Sequence, residues 1–237
     1  LMEQNNEYFV ISEENGILVL TMQAPGNNLM TDEFFRQYEE LMTEISKKKK
    51  LKGLIIKGSA RHFSVGADVG SLAERSSTES ETMNGDYDFS QGHVKQKKLV
   101  TFLHDLPYPV VSVISGFCIG SGSEIAVNSH IRICEPTARV GQPESTFGIL
   151  PALGGIARSV EICGLSKAIQ LVFTGELIPA QEAYEIGWAD IMADKKQGLK
   201  KAIDLIEWIS ANVSEYKPSE TECYISEFLK NEGDIDL

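Results

Sequence analysis

Apolar positions early in the chain follow two different periods, which predicts strands and a helix in succession. Residues 8–12 and 17–22 are β-prone runs, and an Asn-Gly pair between them favours the positive φ angles of a tight hairpin turn. Further along, the apolar residues between 34 and 45 recur at the period of an α-helix, which Thr31 is placed to cap. The chain is therefore expected to open with a β-hairpin followed by an amphipathic helix.

The next part of the chain has the order strand, helix, strand. Continuous apolar runs at 54–56 and 110–114 predict buried strands, and a helix-like stretch at 94–106 precedes the second run. Such βαβ units indicate an α/β fold, and the polar segment 71–93 between the strands is predicted to be a mobile loop. Further helices are predicted at 121–128, 156–163, 166–173, 180–186 and 197–212. Beyond residue 213 the pattern weakens, which leaves either a short appended helix or a frayed tail.

Composition fits one globular domain, because 237 residues with 42% apolar positions are enough to bury a sizeable core. The net charge of −12 argues against a general nucleic-acid surface or attachment to an anionic membrane. Most of it lies in segments 71–93 (five acids, one base) and 214–237 (seven acids, two bases), so the rest is nearly balanced and could accept an anionic ligand. The lysines at 47–50 end a predicted helix, where cations complement the helix dipole; an RNA-binding patch is the alternative.

Cysteine usage and the start of the chain predict a soluble cytoplasmic protein without disulfides. The four cysteines have no CxxC spacing, the first residues lack a signal-peptide pattern, and no apolar run reaches the roughly 18 residues of a membrane span. The four histidines are scattered, so no metal site is predicted. The missing G-x-S-x-G elbow and the missing Walker and Rossmann glycine patterns argue against serine hydrolases, nucleotide-hydrolysing enzymes and nicotinamide enzymes.

Two glycine-bearing turns, 63–68 and 116–124, each follow an apolar strand, which is where ligands bind in α/β folds. Small residues allow a ligand to approach the main chain, and two backbone N–H groups could converge on one oxygen. A purely structural turn is the alternative for each. Likewise, Glu124 could form a helix-capping box with Ser121, and Glu144 could be an ordinary first-turn acid behind Pro143.

Three longer segments share a pattern with one known family. Taken in order, FSVGAD at 63–68, SGFCIGSGSEIA at 115–126 and VGQPE through GILPALGG at 140–155 resemble the enoyl-CoA hydratase/isomerase (crotonase) family. The later LVFTGE, AQEA and GWAD extend the resemblance to roughly residues 8–212. It implies a crotonase-like α/β fold, with a spiral of ββα units over 1–195 and a C-terminal helical region over 196–237 that is short for the family. It also implies a homotrimer or a dimer of trimers.

The same resemblance implies an active site for acyl-CoA thioesters. The backbone N–H groups of Ala67 and Ser121 would form an oxyanion hole. Glu124 would activate water, and Glu144 would deliver a proton to the α-carbon of the substrate. The substrate-binding positions obtained by matching the motifs are Gly66, Asp68, Val69, Gly120, Gly122 and Pro143. Such a reaction requires no metal and no redox cofactor, because coenzyme A enters only as the carrier of the acyl group.

Hydration of a 2-enoyl-CoA to a 3-hydroxyacyl-CoA is the leading functional hypothesis, because the family's hydratases resemble this chain in holding both glutamates. The alternatives are double-bond isomerisation, or dehydration or decarboxylation of an acyl group on coenzyme A or on acyl carrier protein. A non-catalytic scaffold that contacts RNA through 47–50 is the third hypothesis. Ser121, His130 and Ala152 differ from the residues usual at these family positions, and the last two are expected to alter the pocket shape.

Overall fold

The central sheet has six strands within residues 6–68 and 91–233, which the computed structural model describes. From edge to edge they are β1 (Phe9–Glu14), β2 (Ile17–Met22), β4 (Gly53–Gly58), β6 (Val110–Ile114), β8 (Ile131–Cys134) and β11 (Ile191–Met192). The β1–β2 pair is antiparallel and each of the other pairs is parallel. The predicted hairpin is confirmed, and its turn residues Asn15 and Gly16 have φ angles of 53° and 82°.

Two smaller sheets are built from short strands, most of which follow a central strand along the chain. One contains β7 (Phe117–Ile119), β9 (Arg139–Gly141) and β10 (Ile178–Pro179), with β9 in the middle. The other is the parallel pair of β3 (Leu29–Met30) and β5 (Gly66–Ala67). The strands β7 and β9, which follow β6 and β8 along the chain, pair in parallel.

Besides the four-residue helical segment Pro25–Asn28, seven longer α-helices complete the described fold. They are α1 (Asp32–Ser46), α2 (Gln91–Thr101), α3 (Ser121–Asn128), α4 (Gly155–Thr174), α5 (Ala180–Glu185), α6 (Gly198–Asn212) and α7 (Thr221–Glu232). Short 3-10 turns are present at Phe102–Asp105, Pro143–Phe147 and Pro218–Glu220. Three successive units, β4-β5-α2, β6-β7-α3 and β8-β9-α4, each consist of two strands and a helix. The predicted spiral of ββα units is therefore confirmed.

The helix boundaries differ from the predicted ones where local backbone chemistry intervenes. Thr31 caps α1 as predicted, because its hydroxyl accepts a hydrogen bond from the Phe34 N–H at 3.2 Å. The two helices predicted at 156–163 and 166–173 are the two halves of α4, separated by Gly164 with φ 76° and ψ 161°. The helix predicted at 94–106 begins earlier, at Gln91, and ends in a 3-10 turn.

Hydrophobic residues on the two faces of the central sheet enter two separate core clusters. Successive residues of β4 alternate between them, with Leu54 and Ile56 in one cluster and Ile55 in the other. The first cluster includes the apolar face of α1, and the second includes that of α6 and α7. The segment after 213 therefore ends in a packed helix, which confirms the appended helix over the frayed tail. The division of the chain at residue 195 stays a prediction.

The remaining predictions concern charge and membrane contact. Lys47 donates to Glu44 at 2.5 Å and Lys48 donates to Glu13 at 2.6 Å, so two of the four lysines after α1 are paired with carboxylates. No helix among the described residues is long and apolar enough to cross a membrane. Most of the polar segment 71–93 lies outside the described residues, and so does Val69.

Candidate active site

Hydrogen bonds bring the two glycine-bearing turns side by side. The Ser64 N–H donates to the Phe117 carbonyl at 2.9 Å, and the Ile119 N–H donates back to the Ser64 carbonyl at 3.2 Å. Gly66 has φ 83°, and a Cβ on it would lie 2.8 Å from the Ile119 carbonyl oxygen and 3.5 Å from the Gly120 Cα. Only glycine tolerates both this conformation and this approach. The two turns therefore meet at Gly66 and Gly120.

The two expected oxyanion donors each follow one of these glycines. Ala67 is the second residue of β5, next to Gly66. Ser121 is the first residue of α3, so its N–H has no acceptor within the helix and lies at the positive end of the helix dipole. The preceding Gly120 has φ 54° and ψ −129°, a conformation that favours glycine. The structure thus brings together the two turns that carry both expected donors.

Glu124 projects from the first turn of α3 into the interior, where it is 1% exposed. Its Oε1 accepts hydrogen bonds from the Leu153 N–H at 2.6 Å and the Gly155 N–H at 3.0 Å. Burial raises the pKa of this carboxyl to about 8; the charge of Glu144 adds to the increase, whereas the two N–H donors and Lys97 oppose it. The alternative of a capping box with Ser121 is wrong, because Gly120 is the N-cap and the Glu124 carboxyl bonds to a distant loop.

Glu144 lies beside the meeting point of the two turns. It is in the first turn of a 3-10 helix that begins at Pro143, which confirms the first-turn placement predicted from sequence. Its Oε1 would be 3.4 Å from a Cβ on Gly120, and its Oε2 is buried without a hydrogen-bond partner among the described residues. Burial raises the pKa of this carboxyl as well. Two carboxyls with raised pKa values therefore lie close to the two glycine turns.

Comparison with known proteins identifies the family of the chain. Residues 12–218 match the sequence model of a family described as enoyl-CoA hydratase/isomerase. The chain belongs to the enoyl-CoA hydratase/isomerase family. A curated relative, the fatty acid oxidation complex subunit alpha of Shewanella frigidimarina (strain NCIMB 400), is 31% identical over 210 residues, which is 86% of this chain and 28% of that protein. The chain therefore spans under a third of the length of this relative.

Solved structures of other proteins share the fold. An enoyl-CoA hydratase from Bacillus anthracis is 22% identical with a TM-score of 0.74, and the match covers 97% of this chain and 84% of that one. DspI of Pseudomonas aeruginosa is 19% identical with a TM-score of 0.75, and the match covers 97% and 83% of the two chains. At these identities the likeness establishes the crotonase-like fold, which confirms the predicted fold class.

In this member of the enoyl-CoA hydratase/isomerase family, two buried polar residues that the sequence interpretation missed hold the first glycine turn. The Asn28 side-chain amide donates to the carbonyls of His62 and Phe63 at 3.2 and 3.0 Å. The Ser64 hydroxyl donates to the Asn28 carbonyl at 2.7 Å and accepts from the Gly66 N–H at 3.0 Å. Asn28 itself has φ 61°, and the Pro-Gly-Asn-Asn breaker was the available signal, since asparagine tolerates this conformation.

The other predicted positions differ in how close they lie to this site. Gly122 packs α3 against the first turn, because a Cβ on it would lie 2.6 Å from the Ser64 Cβ. Asp68 is partly exposed at the end of the same turn. His130 lies elsewhere: its Nδ1 accepts from the Val110 N–H at 3.1 Å at the amino end of β6, whereas the site follows the carboxyl ends of the strands. The expectation that His130 alters the pocket is therefore wrong.

We expect Glu124 to make the free energy of unfolding fall as the pH rises from about 4.5 to about 8, the usual and the buried pKa of this carboxyl. In this window the folded protein holds the proton that the unfolded chain has lost, so raising the pH favours unfolding. Urea unfolding at pH 5 and pH 8 should show a smaller decrease for Glu124→Gln than for the wild type. Glu185→Gln, on the exposed side of α5, serves as the control. Equal decreases in the wild type and Glu124→Gln would contradict the buried titration.

Proposed function

We propose that the protein adds water reversibly to the double bond of a 2-enoyl-CoA and forms a 3-hydroxyacyl-CoA. Membership of the enoyl-CoA hydratase/isomerase family supports a reaction on an acyl-CoA thioester. The observation that supports hydration within that class is a pair of carboxyls with raised pKa values, the buried Glu124 on α3 and the partly buried Glu144 beside Gly120. Hydration requires one group that takes a proton from water and another that supplies a proton to the α-carbon. Two carboxyls meet both requirements.

The backbone donors stabilise the negative charge that develops on the substrate. In the proposed complex, the thioester oxygen accepts hydrogen bonds from the N–H groups of Ala67 and Ser121, which polarise the carbonyl and draw electrons away from the β-carbon. Water can then attack this carbon, and the enolate-like oxygen remains bonded to the same donors. Removing one such donor typically costs about 2.7 to 4 kcal/mol of transition-state stabilisation. Gly66 and Gly120 support this role because their conformations bring the two turns into contact.

The two carboxyls divide the proton transfers between them. Glu124 in its ionised form accepts a proton from the attacking water, and Glu144 in its protonated form donates one to the α-carbon. Burial raises the pKa of both carboxyls, which suits groups that both give and take a proton within one cycle. Two backbone N–H groups keep the ionised form of Glu124 accessible despite its burial. This reaction uses neither a metal ion nor a redox cofactor.

The substrate follows the surface between the two turns in this proposal. Gly66, Gly120 and Gly122 leave room for the thioester against the main chain, and Pro143 orients the turn that carries Glu144. Asp68 extends the binding surface along the chain from Ala67. Coenzyme A carries the acyl group throughout the reaction and leaves the site as part of the 3-hydroxyacyl-CoA product.

The experiment that tests this function is a spectroscopic assay of the wild-type protein. Hydration of crotonyl-CoA removes the conjugated thioester, so its ultraviolet absorbance should decrease, and the product should be identified as 3-hydroxybutyryl-CoA. Longer and aromatic 2-enoyl-CoA esters extend the assay to other acyl groups. A 3-enoyl-CoA provides the comparison: if the protein only moves the double bond of this ester and adds no water to any 2-enoyl-CoA, the hydratase proposal is wrong.

We also propose that the protein assembles as a homotrimer or a dimer of trimers. Large apolar side chains are exposed on α4, where Leu165 is 61% and Phe173 is 69% exposed. Ile169 lies between them at four-residue spacing, so the three share one helix face. Phe147 and Leu150, 56% and 55% exposed, belong to the segment that carries Glu144 and leads into α4. Exposed apolar surface of this kind usually marks an interface, and a second copy of the chain would cover it.

Replacing both Ile169 and Phe173 with Glu is expected to lower the molar mass in solution to that of a monomer. Carboxylates introduced on this apolar face would oppose association, because each would lose its hydration when the interface buries it. Size-exclusion chromatography with light scattering measures the mass. Lys167→Glu adds a negative charge at an exposed position of the same helix and should leave the mass unchanged. A double variant with the same mass as the wild type would place the interface elsewhere.

A further inference from the structure

Gln142 is a buried amide with no hydrogen-bond partner among the described residues. It lies between β9 and the turn that begins at Pro143, and it is 3% exposed. Both its Oε1 and its Nε2 are buried and unpaired. A buried amide that makes no hydrogen bond is costly, so such a side chain is expected to bond with a group that changes state or arrives during function.

The position of the Gln142 amide indicates that the Glu124 carboxyl is the group with which it would bond. A Cβ on Gly155 would lie 2.4 Å from Gln142 Nε2 and 3.0 Å from Glu124 Oε1, so both atoms lie around the same small volume. The glycine keeps that volume free of a side chain. Because Glu124 is the buried carboxyl on this side of the site, the unpaired amide faces a group whose charge changes during proton transfer.

We propose that Gln142 is a positioning residue for Glu124, whose carboxyl it holds in the reactive orientation in both protonation states. When the carboxyl is ionised, Nε2 donates a hydrogen bond to it. When the carboxyl is protonated, its O–H donates to Oε1. An amide can do both because it carries a donor and an acceptor side by side and has no charge of its own. This inference deepens the proposed hydration, in which Glu124 takes and returns a proton.

The other groups that face Glu124 cannot replace this role. The N–H groups of Leu153 and Gly155 donate to Oε1 and therefore favour the ionised form alone. Glu144 opposes ionisation of Glu124 and Lys97 favours it, and both act as charges. Gln142 thus differs from all of them, since it offers a hydrogen bond to each of the two states.

Direct titration of Glu124 tests the proposal without a substrate. The side-chain carboxyls are labelled with 13C and followed by NMR as the pH is varied, and Glu124→Gln assigns the resonance. In Gln142→Met, which keeps the length of the side chain and removes the amide, we expect the pKa of Glu124 to rise by about one unit, since the ionised form loses a donor. In turnover of crotonyl-CoA, kcat should fall by at least about 10-fold with little change in KM, and the acidic limb of the pH profile should move with the pKa.

Gln37→Met is the matched control. Gln37 is also a buried glutamine with an unpaired amide oxygen, but it lies on α1 and its Nε2 donates to Glu33. It should leave both the Glu124 titration and the pH profile unchanged. A folded Gln142→Met protein in which Glu124 titrates as in the wild type would overturn the proposal.

A measurement on the wild type covers the case in which Gln142→Met does not fold. The side-chain amide 15N and 1H resonances of Gln142 should shift with the same pH midpoint as the Glu124 carboxyl, and the shift should disappear in Glu124→Gln. Amide resonances that do not follow this midpoint would overturn the inference. These titrations require no turnover, so absence of hydration with a confirmed coupling would contradict only the proposed function.

Discussion

Replacing Glu144 with Gln is expected to lower kcat for the hydration of crotonyl-CoA by about 100- to 10,000-fold. The amide has nearly the same shape as the carboxylic acid but cannot deliver a proton to the α-carbon. The unpaired Oε2 of Glu144 is buried beside the glycine turns, so bulk water is poorly placed to supply that proton instead. Binding of a saturated acyl-CoA should persist, because the backbone donors are unchanged. The decrease in thioester absorbance measures kcat, and calorimetry measures binding.

Glu185→Gln provides the control for this variant. It makes the same chemical change on α5, at an exposed position whose carboxyl accepts a hydrogen bond from Gln181 at 2.9 Å. Its kcat should equal that of the wild type. Undiminished turnover in Glu144→Gln would remove Glu144 from the proposed mechanism, whereas loss of both turnover and acyl-CoA binding would point to a structural effect of the substitution.

Replacing Ser121 with Pro is expected to reduce kcat by roughly 100- to 1,000-fold, the effect of removing one oxyanion donor. Proline deletes the backbone N–H that is proposed to bond the thioester oxygen. It is also well tolerated as the first residue of a helix, which is the position Ser121 has in α3. Circular dichroism should therefore show an intact fold. Steady-state kinetics with crotonyl-CoA then separate an effect on kcat from an effect on KM.

Ser121→Ala supplies the comparison, since it removes the hydroxyl and keeps the N–H. The proline variant should lose roughly 100-fold more activity than the alanine variant if the backbone group is the donor. Equal activity in the two variants would show that the N–H has no part in turnover. A large loss in the alanine variant would instead assign the effect to the side-chain hydroxyl.

Much of the fold could be predicted because its signals are local. An Asn-Gly pair between two β-prone runs predicts the hairpin, and a threonine before an amphipathic segment predicts the start of α1. The two helices predicted on either side of 164–165 are also confirmed as the two halves of α4, because Gly164 interrupts the helical backbone between them. The pattern beyond residue 213 leaves a helix and a frayed tail open, because the four buried apolar side chains of α7 pack into the core cluster that α6 and the sheet also form.

The candidate site was predicted mainly from the family motifs, and local chemistry alone pointed elsewhere. A Ser-x-x-Glu spacing reads as a helix cap, yet the Glu124 carboxyl bonds to Leu153 and Gly155, about 30 residues away along the chain. Asn28 is similarly distant in sequence from the turn it holds. A spacing rule describes which atoms can meet within a helix and carries no information about a loop that packs against it.

The sequence by itself determined the class of fold, the hairpin, most helices and the family, because periodicity, turn residues and ordered motifs are properties of short segments. Only the tertiary structure decided that Glu124 turns inward, that Gly66 and Gly120 touch, and that the unpaired amide of Gln142 lies beside Glu124. The physical reason is burial. A carboxyl or an amide acquires its altered chemistry from the low-dielectric surroundings and the few partners that remain there, and those are assembled from segments far apart in the chain.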